Sequence, residues 1–293
     1  MIYSVLVVYN PLNDEAILAI EKLKEQSDFV VVCNNSDKGY VVPSIDKTKV
    51  FNFNENLGIA KAQSIGMTWA FDNGAEFIVQ MDQDSILAPN TISSLVDRYR
   101  EMTAKGYKIG VIGPRHFDKV TNEVDEGRII KGKNIEGTTC EIIHATISSA
   151  SLIPKVAFDK VGLMDDGLFI DSVDWEYCWR LRKNGFITLR CNDILLGHRV
   201  GNGIKHLFGP VNVRVPSPIR HYYHTRNLFL LSRRSYVPLY WKLSNYTKLI
   251  FKLAVYPFAF DDGWTRFNYL CKGIKDGVIG RYGRIDLAVR NRR

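Results

Sequence analysis

The apolar positions of this chain fall into short, continuous runs separated by stretches with a helical repeat. Residues 3–8 (YSVLVV), 29–33 (FVVVC), 50–53 and 77–81 are largely apolar, several of them rich in β-branched side chains, the pattern of strands covered on both faces. Between them, Ile17, Ile20 and Leu23 fall near one helical face, behind Asn13 and Asp14, which stand where they can cap that helix. Residues 57–71 and 91–102 also read as helices, and 108–112 is strand-like again. The alternation predicts an α/β fold with a mostly parallel central sheet and right-handed crossovers. Ligands of such sheets gather at the carboxyl ends of the strands. Asn10 and residues 34–36, 54–56 and 82–84 all lie there.

The second half is less regular. Residues 141–147 and 151–153 are strand-like, 171–183 reads as a helix with Asp171 placed to cap it, and 186–196 is a strand ending at Gly197-His198. Three helices follow, at 218–235, 239–256 and 264–273. In the middle one, Lys242, Asn245, Lys248 and Lys252 fall on one arc, opposite Leu239, Leu243, Tyr246, Ile250 and Leu253. Such a helix packs on its own domain, packs on a second subunit in a homodimer, or lies on an anionic membrane surface. The expected division is an α/β domain over 1–215, with halves at 1–115 and 116–215, and a helical, basic region over 216–293.

Composition narrows the class. With 46% hydrophobic and 24% charged residues, the 293-residue chain is an ordinary globular protein, neither disordered nor fibrous. Its apolar runs are too short, or too interrupted by lysine, to span a bilayer, and the N-terminal run has no basic region or cleavage site of a signal peptide. Five cysteines without CxxC or His-Cys spacing point to reduced thiols in a cytoplasm. Charge is uneven: residues 201–293 hold 17 Lys/Arg against 4 Asp/Glu, while the preceding 200 hold 22 against 27. An acidic body with a basic, aromatic-rich tail suggests that the tail meets an anion. No RRM, KH, zinc-finger or helix-turn-helix signature appears, so nucleic acid is not the expected partner.

Three constellations carry chemistry. Asp82-Gln83-Asp84 follows an apolar strand, so two carboxylates one residue apart stand where they can share Mg²⁺ or Mn²⁺ with a diphosphate; an Asp-rich turn would look the same. In the stretch from Asn54 to Ala62, Gly58 and Ala60 open a helix beside a sheet edge, where small residues admit a phosphate or a tight turn needs glycine. No GxGxxG or GxxxxGK[ST] is present, which leaves metal-based phosphate chemistry. Asp174, beside Trp175 in the first turn of a helix, is placed to act as a general base or simply to complement the helix dipole. Glu176 and Arg180, four residues apart, suit a helix-surface pair.

Taken in order, Tyr9-Asn10, Cys33-Asn34-Asn35-Ser36, Asn56-Leu57-Gly58-Ile59-Ala60-Lys61-Ala62, Asp82-Gln83-Asp84-Ser85 and Phe169 through Arg180 (FIDSVDWEYCWR) resemble the family-2 glycosyltransferases over roughly residues 3–235. The resemblance implies a GT-A fold, Rossmann-like, with nucleotide-sugar donors, Mg²⁺ or Mn²⁺, and inversion at the anomeric carbon. Tyr9, Asn10 and Asn34 would line the nucleoside pocket, with Asn56 and Gly58 near base and ribose; the family usually has Asp where Asn34 stands. Asp82 would approach ribose or metal, Asp84 would be the main metal ligand, and His198 matches a position that completes the metal shell. Asp174 matches the catalytic base, with Trp175 beside it and Glu176 and Arg180 holding its helix. Asp-Gln-Asp-Ser together with residues 220–227 (RHYYHTRN) looks most like the bacterial rhamnosyltransferase branch, which uses dTDP-L-rhamnose and polyprenyl-pyrophosphate-linked acceptors. Arg220 and Arg226, with Arg233 and Arg234 of the same basic tail, would then hold the carrier pyrophosphate or lie against anionic lipid, at the inner face of the cytoplasmic membrane. A sugar-phosphate nucleotidyltransferase would carry a Gly-rich basic loop where this chain has Tyr9-Asn10-Pro11-Leu12-Asn13.

Overall fold

The computed structural model describes residues 1–12, 14–85, 87–118, 132–198, 204–206, 212–214, 216–286 and 289–290; for 118, 198, 204–206, 212–214 and 289–290 only the backbone is described. In chain order the elements are β1 (Ile2–Val8), α1 (Glu15–Lys24), β2 (Phe29–Asn34), β3 (Thr48–Asn52), α2 (Ile59–Asp72), β4 (Phe77–Asp82), α3 (Thr91–Ala104) and β5 (Ile109–Asp118). They continue with β6 (Lys133–Asn134), β7 (Cys140–Ile143), β8 (Ser151–Pro154), α4 (Lys155–Val161), a 3₁₀ turn (Asp166–Leu168), α5 (Val173–Lys183) and β9 (Ile187–His198). Then come β10 (Ile204–His206), β11 (Asn212–Arg214), α6 (Pro218–Ser232), α7 (Leu239–Ala259), α8 (Gly263–Ile279), β12 (Arg281–Tyr282) and β13 (Val289–Arg290).

Nine strands form one sheet in the order β3-β2-β1-β4-β8-β5-β9-β7-β6. The pairs β1·β2, β2·β3, β1·β4 and β5·β9 are parallel, whereas β8 and β7 run against both of their neighbours. Seven of the nine strands therefore point one way, and the sheet is mostly parallel. Its interior is the apolar set that the strand runs promised: Leu6, Val8, Val30, Val32, Val79, Ile112 and Leu189 are fully buried against Ile20, Ile92 and Leu95 of the helices. Helix α2 lies so close to the sheet that a Cβ on Gly66 would stand 2.5 Å from Val5 Cγ1 and 2.9 Å from Cys33 Sγ.

Two compact units share the chain. The first holds residues 1–166 and 177–199, which include the whole sheet; the second holds 167–176 and 200–293. The loop before α5 thus belongs with the C-terminal helices, and α5 begins in the second unit and continues in the first. The second unit is built on α6, which packs against α8 and α7, with Phe169, Tyr222 and Tyr223 as its buried aromatic centre.

The expected strands and helices overlap observed ones, though the last helix runs on to Ile279, and β6, α4, the 3₁₀ turn, β10, β11, β12 and β13 are additions. Two caps differ. Asp14 stands at the N-cap of α1 without a capping side-chain bond, and the Glu15 carboxylate instead accepts from the Leu12 amide at 3.2 Å; Asn13 lies outside the described residues. Helix α5 begins at Val173, and Asp171 gives its carboxylate to Arg220 rather than to a helix amide. Among the described residues, no helix is long and apolar enough to cross a membrane, and all five cysteines are free thiols.

Candidate active site

Four parallel strands, β3, β2, β1 and β4, end on the same edge of the first unit, and side-chain amides tie their ends together. Past β1, Tyr9 is 44% exposed while its backbone is gripped by one side chain: the Tyr9 amide donates to Gln83 Oε1 at 2.7 Å, and Gln83 Nε2 donates to the Tyr9 carbonyl at 3.2 Å. Asn10 adopts a left-handed φ of 41°, which Asn tolerates well. Its amide donates to Ser36 Oγ at 2.8 Å and its side chain to Asp37 Oδ2 at 3.0 Å, while the Tyr9 hydroxyl stands 3.5 Å from the same carboxylate oxygen. An aromatic ring and a carboxylate are thus presented together at the mouth of this edge, the chemistry that stacks and hydrogen-bonds a nucleobase.

Beneath that rim the asparagines are structural. Asn34 is 1% exposed; it donates to Asn52 Oδ1 at 2.6 Å and to the Tyr40 carbonyl at 2.9 Å, and its own Oδ1 accepts from the Ser36 amide. It is bonded to the end of β3 and to the loop beside it, away from solvent. Asn56 Oδ1 accepts from Asn35 Nδ2 at 3.0 Å and from the Gly58 amide at 2.9 Å, and Asn35 Oδ1 takes the Leu57 amide. The amides of Leu57 and Gly58 are therefore spent on the turn rather than offered to a phosphate. Gly58 has φ 84°, so glycine is needed there for backbone reasons.

Asp82 closes β4 opposite Val7 of β1 and is part-buried. Asp84, two residues on, is exposed, and its carboxylate has no hydrogen-bond or ion-pair partner among the described residues. Gln83 between them locks the turn to β1, and Ser85 is buried against Ser149 at 2.7 Å between hydroxyls. The pattern fixes the backbone on both sides of Asp84 while leaving its side chain outside. Among the described residues no cluster of three or more His, Cys, Asp or Glu is gathered for a metal. The side chain of His198 lies outside the described residues; its backbone ends β9, paired with Asp118.

In the second unit the loop leading to Asp174 is bent and tightly held. Phe169, Asp171 and Ser172 have φ of 63°, 71° and 63°, a left-handed run that costs on the order of 1–3 kcal/mol per residue unless its surroundings enforce it. The enforcement comes from α6. Asn227 Nδ2 donates to the carbonyls of Leu168, Ile170 and Asp171 at 2.8–3.1 Å, Arg226 Nη2 donates to those of Gly167 and Leu168, and Arg220 grips the Asp171 carboxylate through two nitrogens. Phe169 stacks on Tyr223 at 4.9 Å. Asp174 then stands in the first turn of α5, its Oδ1 accepting from the Trp175 amide at 2.9 Å, with Trp175 39% exposed beside it. Glu176 points the other way: 1% exposed, it accepts from the Tyr236 hydroxyl at 2.6 Å and from Arg234 at 3.1 Å. Burial, and then the Glu176 charge, push the Tyr236 phenol up to about 12, so it stays a donor.

The basic residues divide. Arg226 is 0% exposed, with Tyr222 and Tyr223 rings 5.5 and 5.2 Å from its guanidinium and the Gly283 carbonyl as a further acceptor. It cannot reach a carrier pyrophosphate, because its donors are spent on backbone oxygens inside the unit. Arg220 remains 43% exposed while bound to Asp171. In the first unit, Arg180 donates to the carbonyls of Val161 and Leu163 at 2.6 and 2.7 Å, which ties α5 to the end of α4. Helix α7 also resolves its faces: Trp241, Asn245, Leu249 and Tyr256 are buried, while Leu239, Leu243, Ile250, Phe251 and Phe258 are exposed. Sequence reasoning missed Gln83 as a clamp, Asp37 as the carboxylate at the rim, and Asn227 as the holder of the left-handed loop. The first two are spaced like any polar loop residue, and only the fold brings their partners to them.

Comparison with known proteins adds the following. Residues 5–162 match the family model described as Glycosyl transferase family 2. Over 298 aligned positions the chain is 34% identical to a protein of Shigella flexneri described as dTDP-rhamnosyl transferase RfbF, covering 96% of this chain and 97% of that one. Among solved structures it resembles GalNAc-T7 with UDP, GalNAc and Mn²⁺, with a TM-score of 0.55 at 16% identity over 94% of this chain, which spans 55% of that longer one. A weaker likeness is to S. aureus TarS, with a TM-score of 0.47 at 14% identity, covering 78% of this chain and 39% of that one.

Proposed function

The chain belongs to glycosyl transferase family 2, and from that premise we propose that it moves L-rhamnose from dTDP-L-rhamnose to a hydroxyl of a lipid-linked glycan, with inversion. As a glycosyltransferase it has the GT-A-type sheet on which a nucleotide-sugar donor binds. The observation that carries the rhamnosyl reading is the end-to-end similarity to a dTDP-rhamnosyl transferase. Tyr9, Asn10 and Asp37 receive the nucleoside, with Asn34, Asn56 and Gly58 shaping the floor of that rim.

A divalent ion fits the residues present. Asp82 and Asp84 are hard oxygen donors, Asp84 has no hydrogen-bond or ion-pair partner among the described residues, and a Mg²⁺ or Mn²⁺ held by one or two carboxylates would fill its remaining positions with phosphate oxygens and water. When bound, such an ion neutralises charge on a departing nucleotide diphosphate. Asp174 is the base that takes the proton of the acceptor hydroxyl. The loop that Asn227, Arg226 and Arg220 hold in a left-handed path fixes where that carboxylate stands. Glu176, anchored on Tyr236 and Arg234, holds the start of α5, and Arg180 holds its later turns.

The outward apolar face of α7, with Leu239, Leu243, Ile250, Phe251 and Phe258 exposed, supports a seat at the inner face of the cytoplasmic membrane, where a lipid-linked acceptor resides. No acidic residue occurs between 239 and 260. The deciding experiment is a thermal-shift panel of dTDP-rhamnose, UDP-glucose, UDP-galactose and GDP-mannose, with and without Mn²⁺. A ligand at a hundred times its dissociation constant adds about 2.7 kcal/mol. A metal-dependent rise with dTDP-rhamnose alone is expected; a rise with a UDP-sugar alone discards the rhamnosyl reading and keeps the family.

A further inference from the structure

Two thiols of the first unit face each other across a strand pair that the proposed reaction does not use. Cys140 opens β7, Cys191 lies directly opposite it on the antiparallel β9, and their sulfurs are 3.8 Å apart. Both side chains are buried. The backbone around them has the geometry of a cross-strand bridge. The Asn192 amide donates to the Thr139 carbonyl at 3.0 Å, so positions 139 and 192 carry the ladder bond, and the next pair, Cys140 and Cys191, is a non-hydrogen-bonded one. The Cys140 carbonyl turns away from β9 and accepts from the Ile135 amide at 2.9 Å. Opposed Cα atoms of such a pair stand about 4.5 Å apart, inside the roughly 4.4–6.8 Å that a disulfide spans. The sulfurs need to approach by only about 1.8 Å to reach bonding distance.

The strands have the slack for that movement. Pro114 of β5 pairs with Cys191 but Arg115 pairs with Leu195, so residues 192–194 bulge from β9 immediately after the cysteine. On its other side β7, four residues long, is covered by the two-residue edge strand β6. A short strand beside a sheet edge opens locally at little cost, which admits a small oxidant. The surface is close: Thr139 and Asp193 are exposed, Thr139 Oγ1 donates to Asp193 Oδ1 at 2.7 Å, and Arg98 donates to Asp193 Oδ2 at 2.8 Å. The two thiols are unequal. The hydrogen bond from Cys191 holds Cys140 below the ordinary thiol value against its burial, with Arg98 assisting and Asp193 and Glu101 opposing. Cys191 is held above that value, by Cys140 first and by burial next.

We propose that Cys140 and Cys191 form a redox-modification site, at which hydrogen peroxide converts the two thiols into an intrachain disulfide that staples β7 to β9. The Cys140 thiolate attacks one peroxide oxygen, the O–O bond breaks, and hydroxide leaves and takes up the proton that Cys140 gave, which yields a sulfenic acid and water. The Cys191 sulfur then attacks the sulfenic sulfur, the S–O bond breaks, and the hydroxyl leaves with the Cys191 proton as a second water. Two electrons pass from the sulfurs to the peroxide, and a dithiol reverses the step by exchange. The bridge joins residues 51 positions apart, so it restricts the unfolded chain and stabilises the folded one.

The test treats the folded, full-length protein with hydrogen peroxide until the exposed Cys271 is consumed. Remaining thiols are then blocked with N-ethylmaleimide in denaturant, and the digest is mapped by mass spectrometry without reductant. The expected product is a peptide pair joined through Cys140 and Cys191, lighter by two hydrogens than its parts and released by dithiothreitol. Oxidation should raise Tm by at least about 5 °C, reversibly. Cys140→Ser and Cys191→Ala should each abolish that rise, and Cys271→Ser should keep it. Should either strand variant not fold, the digest of the parent protein decides. Both cysteines recovered as blocked thiols after Cys271 is consumed overturns the proposal. So does Cys140 recovered as a sulfinic or sulfonic acid beside a Cys191 thiol, or a joined pair that appears only when peroxide is added in denaturant. A joined pair with an unchanged or lowered Tm overturns the staple.

Discussion

Replacing Arg226 by methionine separates a surface anion ligand from a structural strut. The guanidinium is fully buried and donates to the carbonyls of Gly167, Leu168 and Gly283 and to Asn227 Oδ1. Hydrogen bonds from a charged donor are worth about 1.5–3 kcal/mol each, and a buried carbonyl left without a donor costs about 1–3 kcal/mol. Against this, methionine removes the desolvation that already lowers the basicity of Arg226 and keeps much of the contact with Tyr222 and Tyr223. The net expected loss is about 3–5 kcal/mol, in the range found for breaking one side of a buried charged network. At about 2–4 °C per kcal/mol for a domain of this size, Tm should fall by roughly 10 °C. Urea unfolding followed by tryptophan fluorescence measures the same loss. Binding of dTDP, which the proposed function assigns to the first unit, should persist at temperatures where the variant is folded, while turnover falls because the loop before Asp174 is no longer held. A ligand for a carrier pyrophosphate would behave otherwise: stability within about 0.5 kcal/mol of the parent and a raised KM for acceptor. That result would refute the structural role given to Arg226.

Asp174→Asn should lower turnover by at least about two orders of magnitude with donor binding intact, the size of losing a positioned base; full turnover in a radiolabelled transfer assay would remove Asp174 from that role. Asp84→Ala should abolish the metal-dependent part of the dTDP-rhamnose thermal shift, and a shift that persists would mean that Asp84 is no ligand. Gly66→Ala should destabilise by about 1–3 kcal/mol through overpacking against Val5 and Cys33, as read from the urea midpoint. His221 is held near 3 by burial, and then by Lys252 and Arg266, so the folded state disfavours its charged form. Its stabilising contribution is complete above the unfolded value of about 6.5 and is lost as pH falls toward 3, at about 1.4 kcal/mol per pH unit. Urea midpoints at pH 7 and 5 should show this slope, reduced in His221→Asn.

Much of the first unit was legible because its physics is local. A strand covered on both faces must be apolar along its whole length, so β1, β2 and β4 announce themselves, and the polar residues that follow them must crowd one edge of a parallel sheet. The carboxylates at 82, 84 and 174 could be named for the same reason: they stand next to elements whose ends are fixed by their own sequence. What those neighbours do with their side chains was not legible. Asn34 and Asn56 read as pocket residues, yet each is bonded to the chain beside it, since which amide meets which carbonyl depends on segments brought together from 18 and 21 positions away.

The C-terminal region shows the limit most clearly. Periodicity divides α7 into a basic arc and an apolar arc, and burial alone would favour packing the apolar one. The fold instead buries the side that carries Trp241, Asn245 and Tyr256 and leaves Leu243, Ile250 and Phe258 outside, because α6 and α8 offer that helix polar and aromatic partners. Likewise an arginine in a basic stretch looks like surface charge until Tyr222, Tyr223 and three backbone carbonyls close around it. Sequence by itself determined the sheet, the polar edge at its strand ends and the positions of the acidic residues along it, since each follows from short-range patterns of burial. Tertiary structure alone decided which polar groups are spent on holding loops and which remain to meet a substrate, since that choice is made by partners distant in the chain.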